Sequence, residues 1–126
     1  MYSTIEDFTD ALELGETFYF HGKIETDQPH YQIVLNKPNE YDSLICMSVA
    51  TSQIEKREDY IKKKNIPAET LVIVEIGEVP FLKKRSCFDC NNPVTYSAET
   101  LFSDYSIHKL KPIGTLPEKV LNRIFD

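Results

Sequence analysis

The sequence predicts a mainly β protein, α+β by content, built on a small, strongly bent antiparallel sheet or barrel with short helices at its ends. Three observations support this. Five or six short segments rich in β-branched and aromatic residues follow one another, from residue 16 to residue 110. The clearest helical patterns lie at the two termini. The regular strand–helix alternation of a parallel α/β fold is absent.

In chain order, residues 4–13 read as a helix. Ser3-x-x-Glu6 has the capping-box pattern, Ile5, Phe8 and Leu12 share a face, and Gly15 is a stop signal. Residues 16–20 (Glu-Thr-Phe-Tyr-Phe) and residues 30–35 (His-Tyr-Gln-Ile-Val-Leu) read as strands, the second opening after Pro29. Residues 43–50 form a third, apolar enough to be buried on both faces. Residues 54–64 are highly charged and read either as a short helix or as a mobile loop. Leu71-Val72-Ile73-Val74 is the strongest strand pattern. A short strand follows at residues 86–90, then a short helix at residues 97–102 capped by Ser97. Residues 107–110 read as an edge strand. Thr115-x-x-Glu118, with Pro117 in the first turn and Val120, Leu121 and Ile124 on one face, predicts the last helix.

The totals narrow the function. A chain of 126 residues, 41% hydrophobic and 27% charged, suits one globular domain spanning residues 1–126. No apolar run approaches the roughly 20 residues needed to span a bilayer. The acidic start (Glu6, Asp7) lacks the basic and apolar regions of a signal peptide, so a cytoplasmic protein is expected. Three cysteines, Cys46, Cys87 and Cys90, do not resemble a disulfide framework. A net charge of −6 argues against broad, nonspecific nucleic-acid binding but leaves room for a small basic cleft. Lys62-Lys63-Lys64 and Lys83-Lys84-Arg85 are local basic runs, ordinarily solvated faces or turns.

Few motifs carry chemistry. With 4 glycines there is no phosphate loop or dinucleotide fingerprint, and no His-Glu-x-x-His helix occurs, so no cofactor or metal is expected. Cys87-x-x-Cys90 lacks a second cysteine pair and runs into an Asn-Asn-Pro turn, which favours incidental strand cysteines over a zinc or redox site. Among the three histidines, His30 stands out because it opens a strand at the mouth of a loop, where functional groups concentrate. Thr51-Ser52-Gln53 ends the apolar strand and suits either a phosphate contact or a backbone turn.

Taken in order, these segments resemble the MazF/PemK toxin family, SH3-like barrels that cleave RNA. The opening segment of residues 15–20, the strand of residues 30–36, the strand end at residues 48–53, the Phe81-to-Phe88 segment and Ile113-Gly114-Thr115-Leu116 carry the resemblance, which covers most of the chain. It implies an SH3-like barrel with insertions (15–114) followed by a C-terminal helix (115–126), to which the N-terminal helix (residues 1–14) is an addition. It also implies a metal-independent endoribonuclease that uses the 2′-hydroxyl of single-stranded RNA (mRNA) as nucleophile. His30 would be the general acid or base, where better-known members carry arginine and divergent PemK-like sequences are similar in carrying histidine. Thr51 and Ser52 would hold the phosphate oxygens, Lys23 and Gln28 would steer the strand, and Tyr31 or Tyr19 would stack on bases. A homodimer neutralised by a cognate antitoxin follows from the same resemblance, with neither DNA nor membrane as partner. The rival expectations are a non-catalytic barrel module and an immunity or antitoxin-type protein, whose acidity would complement a basic nuclease.

Overall fold

The computed structural model describes residues 1–24, 26–38 and 44–125. These residues form a mixed α+β protein: a seven-stranded antiparallel sheet with four α-helices. Helix α1 (Ile5–Ala11) precedes strands β1 (Glu16–Phe20), β2 (His30–Val34) and β3 (Leu44–Thr51). Helix α2 (Ile54–Lys63) and a 3₁₀ turn (Ala68–Thr70) lead to β4 (Leu71–Val74), β5 (Ser86–Asp89) and β6 (Val94–Ser97). Helix α3 (Ala98–Ser106), β7 (Lys111–Thr115) and α4 (Glu118–Phe125) complete the chain.

The sheet order is β4-β5-β3-β2-β1-β7, with β6 also on β3. The eight-residue β3 is shared by three ladders. One edge pairs with β2 (Gln32 opposite Val49), while the other pairs first with β6 (Leu44 opposite Ser97) and then with β5 (Ala50 opposite Phe88). The ladders end at β4 and β7, and none among the described residues joins those two strands into a closed barrel.

Strand alternation divides the core. Phe18, Phe20, Val34, Ile45, Met47 and Tyr96 pack on one side against Phe8 and Leu12 of the N-terminal segment and Leu101 of α3. Ile33, Ala50, Val74 and Phe88 pack on the other against Val79, Leu82, Leu116 and Val120. Adjacent Ile33 and Val34 are both fully buried, so β2 is covered on both faces. Each such side chain contributes about 1.5–3 kcal/mol relative to exposure.

Several elements differ from expectation. Helix α1 is capped by Thr4, whose hydroxyl accepts from the Asp7 amide at 3.1 Å, so the cap lies one residue later than Ser3. Of residues 54–64, Ile54–Lys63 form a helix because Ile54 and Ile61, two turns apart, bury against Leu71 and Cys87. Helix α3 runs on to Ser106, past the predicted 102, which removes the predicted strand at residues 107–110. The amides of Lys109 and Leu110 both bond the Asp104 carbonyl, and His108 turns the chain with φ 63. The edge strand is instead β7. Strand β6 was hidden behind the Asn-Asn-Pro turn, although Val-Thr-Tyr is good strand sequence. Thr115 lies in β7, ahead of α4. Ser43, the predicted start of the third strand, lies outside the described residues.

One buried polar contact ties several elements. The Tyr96 hydroxyl donates to Gln32 Oε1 at 2.8 Å and accepts from the Lys23 amide at 3.2 Å; Gln32 Nε2 donates to the Phe20 carbonyl at 3.3 Å. Tyr96 is 1% and Gln32 0% exposed. Tyr96→Phe leaves an acceptor and an amide unpaired, so it should cost about 1–3 kcal/mol. Urea unfolding should show a lower midpoint with unchanged slope.

Candidate functional site

His30 opens β2 opposite Phe20, the last residue of β1. Along β2 and β3 the register pairs Gln32 with Val49. Extending that register by two residues brings His30 opposite Thr51, and the two-residue period puts both side chains on one face. On its other edge Thr51 pairs with Cys87 of β5, past the point where β3 exchanges β6 for β5. His30 and Thr51 are both half-buried, and Ser52 beside them is exposed. Neither His30 nor Thr51 belongs to the apolar clusters.

Two grooves meet at this pair, and His30, Thr51 and Gln53 line both. The first, of about 460 Å³, is lined by Tyr19, Tyr31, Phe81, Ser52, Lys83 and Lys84. Its aromatic rings form a ladder: Tyr19 to Tyr31 is 4.6 Å between centroids, and Tyr31 to Phe81 is 4.8 Å. The second, of about 440 Å³, is lined by Lys23, Thr26, Arg57, Asp89 and Asn92. A larger cavity of about 630 Å³ adjoins the first through Tyr19 and Pro29, but its charged lining is mixed, with Asp27 and Asp104 beside Lys109 and Lys111. The acidic side chains of α1 line none of the three.

Hydrogen bonding assigns the proton on His30. Nε2 lies 3.0 Å from Thr26 Oγ1, and the same hydroxyl lies 3.0 Å from the Gln28 carbonyl. A carbonyl only accepts, so the single hydroxyl hydrogen goes to Gln28. The remaining bond needs Nε2 as donor. Neutral His30 is therefore protonated at Nε2, which leaves the lone pair on Nδ1. The Thr51 hydroxyl accepts the Gln53 amide at 3.1 Å, closing the strand-end turn, and keeps its own hydrogen to donate.

The sequence-predicted residues divide clearly. His30, Thr51, Ser52, Tyr19 and Tyr31 converge on one groove. Lys23 lines the other, but its ammonium bonds the Thr95 carbonyl and lies 5.4 Å from the Tyr96 ring centre, so it braces the loop more than it reaches outward. Gln28 lines neither groove and contributes its backbone carbonyl. Sequence reasoning missed Thr26, Arg57, Asp89 and the Phe81 ring. Lys83 and Lys84, read as a solvated run, border the first groove. Arg57 lies in the segment whose charged sequence reads equally as helix or loop, so its position gives no signal in the sequence.

The Cys87 and Cys90 thiols serve different apolar clusters. Cys87 packs with Ile54 and Leu71, and Cys90 against the cluster holding Phe88. Burial pushes both thiols up, Cys87 to about 11, with Asp89 and Glu58 adding to the rise at Cys87.

Compared with known protein families and with curated proteins, the chain matches no family model and no curated protein.

Nitrogen-15 NMR of His30 at neutral pH should show the Nε2–H tautomer. Thr26→Val should populate Nδ1–H, and Thr26→Ser should restore the wild-type pattern; an unchanged tautomer in Thr26→Val would overturn the assignment. The raised thiol keeps Cys87 almost wholly protonated at pH 8, so iodoacetamide should modify it only after unfolding in urea. Ready alkylation of Cys87 in the folded protein would contradict its burial.

Proposed function

We propose that this protein is a MazF/PemK-like toxin, a metal-independent endoribonuclease acting on single-stranded RNA in the cytoplasm. In this reading the bent sheet is a divergent SH3-like barrel, and the protein works as a homodimer restrained by a cognate antitoxin. The observation that carries the proposal is the meeting of His30, Thr51 and Ser52 beside an aromatic ladder and two lysines.

The chemistry follows from those groups. RNA carries its nucleophile beside the scissile phosphate, so the protein must move protons and stabilise charge. Nδ1 of His30 takes the 2′-hydroxyl proton as the bond from the 2′-oxygen to phosphorus forms. The bond from phosphorus to the 5′-oxygen breaks, and that oxygen takes a proton from water. The products are a 2′,3′-cyclic phosphate and a 5′-hydroxyl. Thr51 and Ser52 hydroxyls donate to the phosphate oxygens as negative charge builds there. Unstacked bases lie on the Tyr19–Tyr31–Phe81 ladder, where stacking contributes about 1–3 kcal/mol per base. Lys83 and Lys84 supply local positive charge despite the net −6 of the chain.

That net charge favours a second reading, a protein-binding module of the immunity or antitoxin type on the same scaffold. One experiment separates the two. The purified chain should fragment a single-stranded RNA in the presence of EDTA, and its expression should arrest growth. His30→Ala should slow cleavage by about 10²–10⁴-fold with the fold retained. An inert, harmless wild type that co-purifies with a basic nuclease would instead support the binding module.

A further inference from the structure

The groove between α2 and the turn after β5 holds a charge arrangement that the cleavage chemistry above does not use. Asp89 ends β5 with its side chain only 8% exposed. Its Oδ1 accepts the Asn91 amide at 3.1 Å, whereas Oδ2 accepts no hydrogen bond among the described residues. A buried carboxylate oxygen without a partner is costly, and a nearby cation offsets that cost. That cation is Arg57, whose Nη1 lies 3.9 Å from Oδ2. The separation is too long for a hydrogen bond. Asp89 therefore holds the guanidinium by charge while the five N–H donors of Arg57 stay uncommitted among the described residues. The Arg57 side chain is 41% exposed and borders a groove whose polar walls also include Lys23, Thr26, His30, Thr51, Gln53 and Asn92.

A half-exposed guanidinium, fixed from behind by a buried carboxylate and free in front, matches the forked donor geometry that takes two phosphate oxygens at once. Asp89 lines the same groove, and its negative charge is offset by the Arg57 guanidinium 3.9 Å away. His30 and Thr51 line this groove as well as the aromatic one, so a strand lying across them has a path from the ring ladder to Arg57.

We infer that this groove is a phosphate subsite for the backbone of single-stranded RNA, with Arg57 as the contacting cation and Asp89 as the residue that positions it. The inference rests on the proposed RNA substrate but not on cleavage. The test uses a 2′-O-methyl oligoribonucleotide, which lacks the nucleophile and cannot be cut. Its affinity is read by fluorescence anisotropy over a series of potassium chloride concentrations.

Arg57→Ala should weaken binding roughly three- to fivefold at low salt, the range of a half-exposed ion pair. It should also lower the slope of log affinity against log salt by about 0.7, one phosphate contact on a single strand. Arg57→Lys should keep most of that slope, since the charge remains. Asp89→Asn, which retains an oxygen for the Asn91 amide, should weaken binding about twofold with Arg57 present and leave the Arg57→Ala variant unchanged. If His30→Ala abolishes nothing because the wild type never cleaves, an Arg57-dependent salt slope still upholds the subsite. Equal affinity and slope in wild type and Arg57→Ala, with matching thermal unfolding, would overturn it even where the wild type cleaves RNA. Failure of the wild type to bind the oligomer would also overturn it.

Discussion

The hydroxyl of Tyr96 occupies a position on which much of the architecture depends. Within the apolar layer under α1 and α3, it joins β6 to the Gln32 side chain of β2 and to the Lys23 amide at the base of the loop leading to His30. Gln32 in turn bonds the Phe20 carbonyl at the end of β1. Three strands and a loop are thus fixed by polar atoms that cannot find water. The low dielectric that strengthens these bonds also makes any wrong arrangement costly, so the contact selects one register as well as stabilising it. Gly22 belongs to the same constraint. Its φ of 58 and the crowding of a Cβ against Tyr96 and Phe20 leave little room for another residue there.

The second constraint is geometric. β3 changes partner along one edge, from β6 to β5, while β2 holds the other. Thr51 stands on the β5 side of that exchange. Both grooves are lined by His30 and by Thr51 at that end of β3. Site and fold therefore have one origin: the strand that closes the core is the strand that shapes the cleft.

Charge completes the picture at a finer scale than the net value suggests. The chain is acidic overall, yet the groove walls carry Lys83, Lys84, Lys23 and Arg57 alongside Asp89, and the acidic residues of α1 line neither groove. At ordinary ionic strength exposed charges more than about 10 Å apart are largely screened, so a ligand in the cleft responds to the local set.

The local patterns were legible in the residues alone. β-branched and aromatic runs locate β1, β2 and β4, apolar periodicity locates the terminal helices though the capping patterns misplace their caps, and His30 opens β2 as its sequence predicts. These signals depend on nearest neighbours, and so survive without tertiary information. The limits of α1 and α3, the four-residue β6 and the displacement of the edge strand to β7 were not legible, because each is set by what the segment packs against. The same holds for the candidate site. The sequence by itself determined that an imidazole, two hydroxyls and several tyrosines were present at strand ends. Only the tertiary structure decided that His30 and Thr51 line the same two grooves, that Thr26 fixes the imidazole proton, and that Arg57 stands before Asp89. Those relations join residues from 4 to more than 30 positions apart, and only the ladder register and the packing of α2 bring them within reach.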